Sequence, residues 1–141
     1  MRKILFENEC VICELDDEVP VLRHRWIIKP SSEEFRSGLL EMQKIYLGLK
    51  PEYKNLKWLA DTELLGELPL DDENWLTTVW DNKLFNEAGV KVHAVILGSS
   101  LFADYPMEVF KKSSARKYDE MGVKLEVFAN EEKAYQWLIE N

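Results

Sequence analysis

Residues 92–97 constrain the fold more than any other stretch, because five of these six residues are apolar. A short and nearly continuous apolar run fits a β-strand that is covered on both faces, as the inner strands of parallel sheets are. Around this run, strand-like segments alternate with longer segments whose apolar residues recur at helical spacing. Such alternation is typical of parallel strands joined by right-handed crossovers. The sequence therefore predicts an α/β fold with a central strand at 92–97.

The remaining elements can be predicted along the whole chain. Strands are expected at residues 4–6, 11–15, 22–28, 58–60, 92–97 and 124–128. Helices are expected at about 31–49, 72–88, 106–121 and 131–140. Ser31 and Glu34 have capping-box spacing, and Gly89 and Gly122 stand where a left-handed residue commonly ends a helix. We expect one domain over 1–141: a mixed sheet with an N-terminal antiparallel hairpin and about four packing helices.

Composition restricts the possible functions. With 141 residues, 46% of them hydrophobic, the chain can bury a core without disulfides or metals. Its net charge of -8 gives a field that repels phosphate backbones and anionic lipid surfaces. The amino terminus turns acidic before a signal-peptide core could form, and no apolar run approaches the ~20 residues of a membrane span. We therefore expect a cytoplasmic protein that binds neither nucleic acid nor membranes.

Several short strings, taken together with the order of elements, resemble a known family. The strings are residues 31–36 at the start of the first helix, 57–61 in the following strand, Trp75 and Trp80 in the second helix, Gly89-Val90, and 128–138. In this combination the chain is similar to the small bacterial SpoIIAA-like (STAS-like) proteins over almost its whole length. The resemblance implies a STAS-like fold and regulatory or ligand-sensing work rather than catalysis.

The chain departs from that family after the strand at 58–60. Anti-sigma-factor antagonists of the family carry a phosphorylatable serine in an Asp-Ser-Ser-Gly-like turn, whereas Asp61, Thr62 and Glu63 follow the strand here. Thr62 is the candidate phosphoacceptor. However, Asp61 and Glu63 would repel the added charge of about -2. A phospho-switch at Thr62 is therefore an alternative hypothesis and not the main one.

The loops that follow the central strands form the expected binding site, because ligands bind at the carboxyl edge of open α/β sheets. The binding residues predicted there and on the adjoining helix are Asp61, Thr62, Leu64, Trp75, Trp80, Ser99, Ser100 and Phe102. Asp61 stands out because it ends an apolar strand and has no capping role, which makes it the candidate catalytic acid or base. By contrast, the acidic residues 71–73 open a helix and suit its dipole.

The two tryptophans of the second helix bear on this site. Trp75 and Trp80 are five positions apart, which separates them by about 140° around an α-helix. They cannot both point straight into one narrow core. We expect one of them at the margin of the buried face, where it could line a pocket or a subunit interface. The alternative is that both simply flank a wide buried face.

Other residues with chemical potential have a structural interpretation. Cys10 and Cys13 have C-x-x-C spacing but fall in or beside a predicted strand, where residues three apart point to opposite faces. Two separate small apolar side chains are expected instead of a redox pair. His24 and His93 also fall in strands and are expected to be hydrogen-bonded structural residues, and no further ligands complete a zinc site.

The remaining motifs do not support catalysis. Residues 98–102 faintly resemble a nucleophile elbow, but Phe102 stands where that turn requires glycine and no histidine follows it. This segment is expected to be an ordinary strand-to-helix turn, with anion binding by its serines as the alternative. Phosphate-binding glycine motifs are lacking in the sequence, so no cofactor is expected.

The sequence therefore favours a non-enzymatic regulatory or binding module. It would recognise a protein partner, a second copy of itself as a homodimer, or a small apolar or anionic ligand at the loops after the central strands. The first alternative is a small hydrolase or isomerase that uses Asp61 as acid or base. The second is the phospho-switch at Thr62.

Overall fold

A six-stranded mixed sheet forms the centre of the computed structural model, which describes residues 2–97, 120 and 122–141. The strands lie side by side in chain order: β1 (Arg2–Glu7), β2 (Val11–Asp16), β3 (Val21–Trp26), β4 (Lys57–Thr62), β5 (Val92–Leu97) and β6 (Lys124–Phe128). The pairs β1–β2 and β2–β3 are antiparallel, and the pairs from β3 to β6 are parallel. The predicted α/β class, the N-terminal hairpin and the inner position of β5 are confirmed.

Three helical segments occur in the described residues: α1 (Ser32–Leu49), α2 (Leu70–Trp75) and α3 (Glu131–Glu140). α2 continues directly as two π-helical stretches, Leu76–Trp80 and Asn82–Glu87. The sequence predicted about four helices. Apart from Glu120, the predicted helix at 106–121 lies outside the described residues.

The predicted capping box at the start of α1 and the left-handed glycine after the α2 region are confirmed. At the start of α1, the Ser31 hydroxyl accepts a hydrogen bond from the Glu34 backbone N–H at 3.1 Å, and the Glu34 carboxylate accepts from the Ser31 N–H at 3.0 Å. This reciprocal pair satisfies two of the N–H groups that a helix start leaves without partners. Gly89 and Gly122 have φ angles of +74° and +69°, in the left-handed region that favours glycine.

Each face of the sheet packs against different helices. One face, here called the aromatic face, is covered by α1 and the α2 region and holds the larger core, which includes Trp26, Trp58 and Tyr46. The opposite face, here called the α3 face, holds a smaller core in which Leu59 and Ile96 of the sheet pack with Leu138 of α3. Because side chains alternate along a strand, neighbouring residues of β3, β4 and β5 serve the two cores in turn.

Two histidines are buried on the aromatic face. The His24 ring lies 5.6 Å from the Trp58 ring, and the His93 ring lies 5.6 Å from that of Phe85, both measured between centroids. Nδ1 of His24 and both ring nitrogens of His93 are buried without a hydrogen-bond partner in the structure. The burial of both histidines among aromatic rings fits the structural role that the sequence predicted. The hydrogen bonds that were also predicted are lacking at these three nitrogen atoms. Burial lowers the pKa of each histidine to about 3, so both imidazoles are neutral at pH 7.

These histidines make stability depend on pH. A folded-state pKa of about 3, below the ordinary 6.5, means that the unfolded chain binds the proton first. The stabilisation is therefore complete above pH 6.5 and is lost as pH falls toward 3, at about 1.4 kcal/mol per pH unit for each histidine. The slope of unfolding free energy against pH is set by how many more protons the unfolded chain binds than the folded one. We expect His93→Phe to lower that number by one, so the slope becomes shallower.

The measurement is urea unfolding at several values between pH 7 and pH 5, above the range in which most carboxylates titrate. The double variant His24→Phe/His93→Phe should lose twice the slope that the single variant loses. A slope unchanged by either variant would contradict the assignment of neutral buried imidazoles.

Candidate functional site at the carboxyl edge of the sheet

The parallel strands bring the predicted site loops to one edge of the sheet. β4 and β5 run side by side with Thr62 opposite Leu97, and β3 ends beside them with Arg25 opposite Asp61. The backbone therefore leaves all three strands at the same carboxyl edge, as the sequence predicted for β4 and β5. Of the predicted binding residues, Ser99, Ser100 and Phe102 lie outside the described residues.

Asp61 is the last but one residue of β4 and a buried carboxylate on the α3 face, with only 3% of its surface exposed. Its Oδ1 accepts a hydrogen bond from the Glu63 backbone N–H at 3.1 Å. Its Oδ2 lies 3.8 Å from Nη2 of Arg23 and 3.8 Å from Nε of Arg25. Burial raises the pKa of Asp61, while the Glu63 N–H and the two arginine charges act in the opposite direction.

Arg23 links Asp61 to a larger ion-pair network on the same face. Arg23 is 4% exposed, and its Nη1 donates to Oε1 of Glu14 at 2.8 Å. Its Nε lies 3.0 Å from Oε1 of Glu131 at the start of α3, although the geometry does not align a hydrogen bond there. Arg2 pairs with the same Glu131 carboxylate. The alternation of side chains along residues 22–28 predicts that Arg23 and Arg25 lie on a largely solvent-exposed face. For Arg23 this prediction is wrong, because three carboxylates surround its buried guanidinium.

The Thr62 hydroxyl is already engaged within the sheet. Thr62 Oγ1 donates to the backbone carbonyl of Ile96 at 2.6 Å, across the β4–β5 pair. A phosphate on this oxygen would have to break that bond as well as face the charge of Asp61. The neighbouring Leu64, by contrast, is 48% exposed at the tip of the loop.

Trp75 and Trp80 stack on each other, contrary to the divergence expected from an α-helix. Their ring centroids lie 6.0 Å apart with an angle of 19° between the planes. The reason is the π-helical stretch Leu76–Trp80, whose wider i→i+5 turn brings residues five apart to the same side of the helix. Trp80 is buried against Trp58, whereas Trp75 is half-buried at the margin, as expected for one of the pair. Both stand on the aromatic side of the sheet, so they do not join Asp61.

Asp72 has a role that sequence reasoning missed. It is 1% exposed, and its carboxylate accepts hydrogen bonds from Oγ of Ser32 at 2.7 Å and from Nε of Arg36 at 2.8 Å. No side chain caps α2, whose N-cap residue is Pro69. Asp72 does lie in the first turn of α2, where its charge suits the helix dipole as predicted, but its carboxylate has these further contacts. Through these contacts Asp72 fastens the start of α2 to the start of α1. The sequence signal for this was the spacing of Ser32 and Arg36, which are four residues apart and so lie on one side of α1.

Exposed apolar side chains gather on the two connections at this edge. Ile28 follows β3 and is 51% exposed, while Leu64 and Leu70 follow β4 and are 48% and 69% exposed. The two connections touch, since Cδ of Lys29 lies 3.5 Å from the position that a Cβ on Gly66 would take. We call Ile28, Leu64 and Leu70 the edge patch.

No protein-family model, curated protein or solved structure gives a significant match to the chain.

The chemistry available at the edge is limited in the described residues. No group of three or more metal-ligating side chains comes together there or elsewhere in those residues. The charged side chains that face Asp61 are arginines, which cannot give up a proton at neutral pH. None of the helices in the described ranges is long and apolar enough to cross a membrane.

The two cysteines lie outside this site. Both are buried and free, and both belong to the core of the aromatic face, so the prediction that they point to opposite faces was wrong. Cys10 lies just before β2, so the alternation of side chains along a strand does not apply to it. Its Sγ donates a hydrogen bond to Oε2 of Glu34 at 3.2 Å. The absence of a disulfide agrees with the interpretation as separate small side chains.

The two buried carboxylates of the edge should respond differently to neutralisation. Asp72→Asn weakens two short charge-assisted hydrogen bonds, so we expect the unfolding free energy to fall by about 2–3 kcal/mol. Asp61→Asn removes a charge that burial disfavours and keeps an oxygen for the Glu63 N–H, so we expect a loss below about 1 kcal/mol. Urea denaturation at pH 7 gives both values. A larger loss for Asp61→Asn than for Asp72→Asn would contradict this description.

Proposed function

We propose that the chain is a non-enzymatic regulatory module of STAS-like fold that binds a partner protein through the loops at the carboxyl edge of its sheet. The order of the parallel strands supports the STAS-like assignment. From β3 to β6 each parallel strand lies beside the previous one in chain order. The crossovers through α1 and α2 therefore advance in one direction and cover the same face.

The edge patch carries the proposal. Three of the seven large apolar side chains that are exposed in the described residues belong to two touching connections, namely Ile28, Leu64 and Leu70. Exposed apolar side chains that lie together on surface loops are characteristic of protein recognition sites. Two surface depressions lie away from the patch, one along α3 beside Arg2 and one at the amino edge beside Lys57. A broad protein surface suits the patch better than a small ligand does.

The alternative of an Asp61 hydrolase or isomerase has one observation in its favour, the raised pKa of this buried carboxyl. The arrangement around it favours a positioning role instead. Asp61 holds the Glu63 N–H and faces two arginines, and neither contact supplies a nucleophile or a second acid. The structure also argues against a phospho-switch at Thr62, because the hydroxyl that would carry the phosphate donates a hydrogen bond to the Ile96 carbonyl.

Replacing the exposed leucines tests the proposal. We expect the double variant Leu64→Ser/Leu70→Ser to lose tenfold or more of the capture of proteins that the tagged full chain retains from its host lysate. Fully burying a leucine side chain contributes about 1.5–3 kcal/mol, and a tenfold loss corresponds to about 1.4 kcal/mol. Quantitative mass spectrometry gives the enrichment, and native mass spectrometry of the purified chain reports a homodimer if the partner is a second copy.

The matched control is Leu47→Ser/Ile139→Ser, which removes two leucine-sized side chains that are 42% and 68% exposed elsewhere on the surface. Circular dichroism and urea unfolding should show both variants folded. Equal capture by the Leu64→Ser/Leu70→Ser variant and the unmodified chain would exclude the edge patch as the binding surface. Turnover that disappears in Asp61→Asn while capture is unchanged would favour the enzyme.

A further inference from the structure

The stretch of sequence that follows β4 carries charge of one sign. Between Lys57 and Lys83 the sequence contains no lysine, arginine or histidine, and seven residues are acidic. Three of them, Asp61, Asp72 and Asp81, are buried, and the first two face arginines. The outward charge of the loop therefore comes from other carboxylates.

Those outward carboxylates lie on the same stretch of chain as Leu64 and Leu70. Glu63, Glu67, Asp71 and Glu73 are all exposed, and they interleave in the sequence with Leu64 and Leu70. Within the described part of the chain, no ion pair neutralises Glu63, Glu67 or Glu73. Positive charge at this edge comes from Lys29 on the adjoining connection and from the partly exposed Arg25 and Arg36, which pair with the buried Asp61 and Asp72. The surface thus combines exposed apolar side chains with an acidic rim.

We propose that the edge patch binds a basic amphipathic segment of the partner protein, in which apolar side chains are flanked by lysine or arginine. This inference rests on the proposed function and adds the chemistry of the partner. The apolar side chains supply the contact area, and the carboxylates select the sign of the partner and speed its approach. Complementary charge of this kind weakens with ionic strength, because the rim is exposed to salt.

Charge also argues against the other occupants of the patch. In a symmetric dimer the same surface meets itself, so the acidic rims of two copies would face each other and repel. Nucleic acid and anionic lipid are repelled for the same reason, and by the net charge of -8. A basic amphipathic protein segment fits both the exposed apolar side chains and the exposed carboxylates of this surface.

The first test uses a synthetic peptide as the probe. A helical peptide of leucine and lysine at amphipathic spacing should shift the backbone amide signals of residues 27–29 and 63–73 in a titration followed by NMR. The same peptide with every lysine replaced by glutamate should bind at least tenfold more weakly. Binding by the glutamate peptide at equal strength, or shifts spread evenly over the whole surface, would overturn the inference.

The second test changes the protein. The triple variant Glu63→Gln/Glu67→Gln/Glu73→Gln keeps the apolar side chains and removes three rim charges, so affinity for the leucine-lysine peptide should fall about tenfold at low salt and less at high salt. The control triple variant is Glu52→Gln/Glu132→Gln/Glu140→Gln, which removes three exposed carboxylates from other surfaces. An equal loss of affinity in the two variants would mean that only net charge matters and would overturn the local site.

The same variants separate this inference from the proposed function. Capture that requires Leu64 and Leu70 but is insensitive to salt and to the three glutamines would leave the binding function standing and exclude a basic partner segment. Capture that is insensitive to the leucines as well would remove both. Loss with the leucines and with the rim charges together supports the two proposals jointly.

Discussion

The parallel register of β3, β4 and β5 is the constraint on which the rest of the structure depends. Since these strands point the same way, the connections that follow them meet at one edge. The crossovers need long helices, and α1 and the α2 region supply the cover for the aromatic face. The same register sets which side chains face each other. Arg25 stands opposite Asp61, and His24 stands opposite Ala60, so charge and aromatic rings are sorted onto opposite faces.

Polar groups are buried on both faces of the sheet, as neutral side chains on the aromatic face and as paired charges on the α3 face. On the aromatic face the histidines remain neutral, which avoids the cost of a buried charge but leaves ring nitrogens without hydrogen bonds. On the α3 face Arg23 cannot become neutral, so it is surrounded by the carboxylates of Glu14, Asp61 and Glu131. Burying these charges is costly, and the ion pairs around Arg23 offset that cost, with Glu14 at 2.8 Å closer than Asp61 at 3.8 Å. This network joins β2, β3, β4 and α3 through a single side chain.

Much of this fold could be predicted from local sequence, and the errors share one cause. Strand alternation, the capping box at Ser31 and the glycines after helices are encoded within a few residues, so the elements and their order were accessible. The misplaced features depend on distant contacts. Arg23 is buried because Glu131 approaches from the other end of the chain, and Asp72 is buried because α1 reaches it. The stacking of Trp75 on Trp80 requires π-helical geometry, and the spacing of residues in the sequence does not distinguish a π-helix from an α-helix here.

The loop after β4 is held in shape from within, and this bears on its capacity to bind. The Asp61 carboxylate accepts from the Glu63 N–H, the Leu65 N–H bonds the Thr62 carbonyl at 3.1 Å, and Gly66 takes a left-handed φ of +81°. Leu65 is buried at 2% exposure while its neighbour Leu64 points outward. A loop ordered in this way loses little further conformational freedom when a partner docks, which favours affinity for a given contact area. Asp61 therefore contributes to recognition by shaping the loop that presents Leu64, which accounts for a buried carboxylate at this edge without requiring it to touch a ligand.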